Sequence, residues 1–136
     1  MARKAIAVAV LLLALVPAAR LAWMAREMPH FGHLHDDSIY FVAAKSMAES
    51  RGYRILSLPG EPFQTKYPPL WPLALAAIWK IDPRFPENLR WAMALAWVML
   101  PAFMVLAWCW FRSLGFGPVM RTTLCSVLVL SPWVVF

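Results

Sequence analysis

The sequence predicts an all-α fold: polytopic transmembrane helices with an outer loop that carries two short interfacial helices. Composition is the first reason. Of 136 residues, 62% are hydrophobic and 15% charged, with a mean hydropathy of +0.61, which lies outside the usual balance of a soluble domain. The second reason is the length of the apolar runs, which approach the roughly 20 residues needed to cross a bilayer. The third is the placement of charge. All seven acidic residues fall within 26–90 together with eight of the thirteen basic ones, so that segment nets +1, and the rest of the overall +6 lies at Arg3, Lys4, Arg20, Arg112 and Arg121. That asymmetry follows the positive-inside rule. It lacks the continuous basic stripe that a nucleic-acid partner would require. Three spans leave almost no length for a separate soluble domain, so residues 1–136 read as one membrane module.

The first element is a span over about 5–25, introduced by Arg3 and Lys4. A basic start, an apolar stretch and Pro17-Ala18-Ala19 also describe a signal peptide. An uncleaved helix is preferred, because Arg20 can snorkel outward and Trp23 suits the interface. Residues 26–90 then form the outer loop. Its first helix begins near Asp36-Asp37, carries Ile39, Val42, Ala43 and Met47 along one stripe with Lys45 and Glu49 off it, and has Gly52 as its stop. Pro59-Gly60, Pro62 and Pro68 make 54–68 turns and extended chain. Its second helix, 69–81, is too short for a span, and a crossing there would place the arginine-bearing 112–121 loop outside. It therefore lies in the outer interface, with Trp71, Trp79 and Lys80 at headgroup depth.

Residues 91–111 form the clearest span, free of charge, bounded by Arg90 and Arg112 and kinked at Pro101. After the Gly115–Pro118 turn a third span occupies 122–136. A stop at Phe136, directly after Ser131-Pro132, predicts a fragment of a longer chain. Cys109 and Cys125 lack metal or redox spacing and read as small apolar residues.

Charged groups cluster between the oily segments in Asp36-Asp37-Ser38-Ile39-Tyr40 and Lys66-Tyr67-Pro68-Pro69-Leu70-Trp71-Pro72. The two carboxylates read equally well as helix caps or as reacting groups. Lys66, beside a rigid Pro-Pro corner, reads as a cation for a phosphate or as an anchor for the interface helix. Tyr40 lines a pocket or faces the interface. His30, His33 and His35 near the acidic pair offer a metal reading, set against surface histidines, and no thiol or second ligand pair supports it.

These stretches, with Ala43-Ala44-x-x-Met47-Ala48-Glu49-x-x-Gly52-Tyr53 between them and Leu130-Ser131-Pro132 near the end, together resemble the start of the polytopic GT-C glycosyltransferases. The nearest resemblance is to the aminoarabinose transferase and protein mannosyltransferase group. It implies a transferase that moves a sugar from a polyprenyl-phosphate donor in the membrane lipid to an acceptor at the outer face. By that pattern Asp36 is catalytic, and Lys66, Asp37 and Tyr40 bind substrate. The resemblance assigns no definite cofactor and leaves open a divalent metal on Asp36, as in some GT-C relatives. The family's second acidic residue would lie beyond Phe136, so the 136-residue piece is expected to be inactive alone. One departure is Tyr67, which stands between Lys66 and Pro68-Pro69 where aminoarabinose transferases have lysine directly before Pro-Pro. The implied location is the inner (plasma) membrane of the cell envelope, multi-pass, with a cytoplasmic N-terminus. The alternative function is a non-enzymatic membrane subunit or a lipid-linked sugar flippase, which would tolerate Asp36→Asn.

Overall fold

The computed structural model describes residues 2–33 and 36–131. They form five α-helices: α1 (Ala2–Met24), α2 (Asp36–Ala48), α3 (Leu70–Ile81), α4 (Leu89–Ser113) and α5 (Pro118–Leu130). Among the described residues there is no strand, only an isolated antiparallel bridge between Arg54 and Phe63, so the chain is all-α. Two helices, Lys4–Met24 within α1 and Leu89–Ser113, are long and apolar enough to cross a membrane. With a rise of about 1.5 Å per residue, either one covers the roughly 30 Å of a bilayer's hydrocarbon. The apolar α3 and α5 are shorter, at 12 and 13 residues. The expected third span over 122–136 coincides with α5 as far as Leu130, and 132–136 lie outside the described residues. Pro17 and Pro101 both sit inside continuous helices.

The chain divides into two compact units, 1–26 with 94–136 and 27–93. In the first, Ala14, Leu15 and Ala18 of α1 cluster with Leu100, Met104 and Ala107 of α4 and with Cys125 and Val129 of α5. Small residues at the contact let helix backbones approach closely, which is how helices associate where lipid removes the hydrophobic drive. Ile6, Leu12 and Leu13 on α1 and Val105 and Leu106 on α4 stay more than half exposed. Water would oppose so much free apolar surface, and hydrocarbon would solvate it. Neither cysteine is bonded: Cys109 is exposed and Cys125 is buried.

The second unit is built on α2 packed against α3. The Trp79 indole N–H donates to the Phe41 carbonyl at 3.0 Å, and the two rings lie 4.9 Å apart. Phe31 and Phe85 complete the aromatic cluster around Phe41. Two expectations change here. The buried face of α2 is Phe41, Ala43, Ala44 and Ser46, whereas Ile39, Val42 and Met47 are only partly buried. Trp79 is 8% exposed and packs inward, so of the three residues assigned to headgroup depth, Lys80 is the fully exposed one.

The end of α2 is also earlier than Gly52. Arg51 N–H reaches back to the Ser46 carbonyl and Ser50 N–H to that of Met47, with Ser50 at φ 61°. This is the hydrogen-bond pattern of a Schellman close, with serine at the left-handed position that glycine usually takes. Gly52, at φ 83°, follows in the chain reversal that leads to residues 53–64. There Ile55 N–H bonds the Pro62 carbonyl and Gln64 N–H the Tyr53 carbonyl. Beyond α3, Asp82 is buried and holds Arg84 through two oxygens at 2.8 and 3.1 Å, and the fully buried Asn88 donates to the Asp82 carbonyl.

Candidate functional site

The polar island of the sequence is also a cluster in space, and it lies wholly within the unit 27–93. Asp36 opens α2, and its Oδ1 accepts a short hydrogen bond from the Tyr67 hydroxyl across thirty-one positions of chain. The Tyr67 ring leans on Tyr40 with centroids 4.9 Å apart. Lys66 Nζ sits over the same ring, 4.7 Å from its centroid. Asp36, Tyr40 and Lys66, named from the sequence, therefore meet around Tyr67.

Asp37 faces elsewhere. Its Oδ2 accepts from Gly32 N–H at 3.0 Å and its Oδ1 from Ser38 N–H at 2.6 Å, so it ties the preceding turn to the start of α2. The two carboxylates thus have different partners. Asp37 does the backbone work, while the Asp36 carboxylate turns toward the lysine-bearing stretch. Among the described residues, Asp36 Oδ2 has no hydrogen-bond partner, and the residue is exposed.

The stretch beneath is rigid for identifiable reasons. Pro68 restricts Tyr67 to extended backbone. The Tyr53 hydroxyl donates to the Tyr67 carbonyl at 3.1 Å, and Lys66 N–H donates to the Oε1 of buried Gln64 at 2.8 Å. Burial, followed by the neighbouring Tyr40, raises the Tyr53 pKa. Contact with the Tyr67 phenol, followed by the charge of Asp36, holds the Lys66 ammonium above the ordinary lysine value. An exposed cation, an exposed carboxylate and a fixed phenol can together meet a negatively charged leaving group and an acceptor hydroxyl.

Sequence reasoning assigned no role to Tyr53, Gln64 or Tyr67. A usable signal existed: the chain has three tyrosines, and Tyr40, Tyr53 and Tyr67 all converge on this one place. The His30 and His33 rings lie 5.5 Å apart, tilted at 46°, and His35 lies outside the described residues. Among the described residues, no three His, Cys, Asp or Glu side chains are grouped as a metal site. A wide groove in the other unit, lined by Phe103, Leu106, Cys109, Trp110, Ser113 and Leu128, is almost entirely apolar and contains no carboxylate, histidine or basic side chain. The chain matches no protein-family model, no curated protein and no solved structure.

Proposed function

We propose that the chain is a membrane glycosyltransferase of GT-C type, taking sugar from a polyprenyl-phosphate donor at the outer face. The observation that carries this reading is the hydrogen bond between Tyr67 and Asp36 with Lys66 over the same ring, which joins the two polar stretches into one site. In the proposed reaction the acceptor hydroxyl oxygen bonds to the anomeric carbon and its proton passes to Asp36. The bond from that carbon to the phosphate oxygen breaks, and its electron pair leaves on the prenyl phosphate, whose charge Lys66 meets. Tyr40 flanks the donor, and Asp37 holds the loop that frames the acceptor side. In this reading α1 and α4 are spans with the N-terminus inside, residues 26–90 lie outside in the plasma membrane, α3 lies in the interface, and α5 begins the third span.

The test is transfer from a panel of radiolabelled polyprenyl-phosphate pentoses and hexoses, in membranes expressing the natural reading frame at matched protein levels. Asp36→Asn keeps the shape and a capping oxygen but removes the base, so the rate should fall by roughly 10² to 10⁴. Asp37→Asn should be milder, because its amide oxygen can still accept from one of Gly32 and Ser38 and the bond that is lost lies away from the reacting groups. Near-normal transfer by Asp36→Asn would instead favour a flippase or a non-enzymatic subunit.

A further inference from the structure

We infer that Tyr67 is a positioning residue that acts through Asp36, fixing one carboxylate oxygen so that the other is presented to the acceptor. This rests on the transferase reading above and assigns a role to the residue that departs from the family's pattern. Asp36 is exposed at the first turn of α2, where the Tyr67 hydroxyl bonds its side chain and the charge of Lys66 attracts it. Tyr67, by contrast, is held by contacts other than the carboxylate. Pro68 limits its backbone, Tyr53 holds its carbonyl, and its ring rests on Tyr40. Its hydroxyl is therefore a fixed donor, and the bond it gives to Oδ1 leaves Oδ2 open. Holding a reacting group in one orientation is worth much of a catalytic advantage, and an exposed carboxylate gains most from it.

The ring and the hydroxyl make different contacts. Lys66 sits over the ring, so the ring helps to seat the cation that meets the donor phosphate. The hydroxyl donates to Asp36 and also meets the Lys66 ammonium, whose pKa it raises. Tyr67→Phe should lower kcat by roughly 10- to 100-fold, with a smaller rise in donor KM than in Tyr67→Ala, which also removes the ring beneath Lys66.

A double-mutant cycle separates positioning from mere support. Transfer is measured for wild type, Tyr67→Phe, Asp36→Asn and the double variant, with the same labelled donor panel and matched protein levels. A residue acting through Asp36 loses its effect once that carboxylate is gone, so the double variant should match Asp36→Asn. An equal fold-loss from Tyr67→Phe in both backgrounds would assign it a structural role and overturn the inference, as would no loss in either. A second readout is independent of turnover: the Tyr67 Cζ resonance, in detergent-solubilised protein labelled at tyrosine, should shift in Asp36→Asn. An unmoved resonance would mean that the hydrogen bond is absent and would sink the positioning role alone. Full activity in Asp36→Asn would overturn the transferase reading and the positioning role together.

Discussion

Asp36 and Asp37 are chemically identical neighbours, and the fold gives them different partners: a phenol thirty-one positions away for one, and the adjoining backbone for the other. Sequence shows the pair but not the division, because one helical step turns a side chain by roughly 100° and only the tertiary partner says which direction is useful. Lys66 was legible for its charge beside two prolines. Its seat was not, since it depends on the ring of Tyr67, which reads as an interruption in the motif. Lys66→Ala should raise donor KM and lower kcat together, the pattern of a phosphate contact that tightens toward the transition state. Steady-state transfer at varied donor concentration checks this. An unchanged KM would return Lys66 to the role of an interface anchor.

At the scale of elements, Pro68-Pro69 and the apolar run behind them announce α3 to within a residue of its observed start at Leu70. The inner face of α2 was harder, because of the expected stripe only Ala43 is buried, and Ile39, Val42 and Met47 give way to Phe41, Ala44 and Ser46. Ala43 and Ala44 have no exposed surface, so small residues let Phe41 reach Trp79 on that face. The close of α2 escaped for a related reason: Ser50 takes the left-handed turn, and the glycine that draws the eye lies two positions further on. The corner after α3 yields a pH prediction. Arg84, by hydrogen bond first and by charge as well, lowers the Asp82 pKa below the ordinary carboxylate value of 3.8. A depressed carboxylate contributes stability that is present above its unfolded value and lost as pH falls through its folded value. Exchange protection at the Asn88 amide, in the turn beside Asp82, should therefore hold from neutral pH down to about 4 and decline below it. Asp82→Asn should weaken protection at neutral pH and flatten that decline. A decline beginning near pH 6 would point to a histidine instead.

At the scale of the whole molecule, the helical class and the two long apolar helices follow from composition and run length, and both appear in the structure. Orientation rests on charge asymmetry alone, with acids confined to 26–90 and arginines at 112 and 121. Single cysteines placed at Ser57 and Gly115, in a background with Cys109 and Cys125 replaced by alanine, test it. An impermeant maleimide applied from outside should label position 57 and spare 115, whereas labelling of 115 would mean that α3 crosses. The central claim is that the cluster around Tyr67 receives the phosphate of a lipid-linked sugar, and the most direct measurement is to trap that lipid in place. A polyprenyl-phosphate sugar carrying a photoreactive group beside the phosphate, irradiated in membranes and mapped by mass spectrometry, should label the segments containing Asp36–Tyr40 and Lys66–Tyr67. That labelling should drop in Lys66→Ala. Labelling confined to α4 and α5, or undiminished at the cluster without Lys66, would contradict the account.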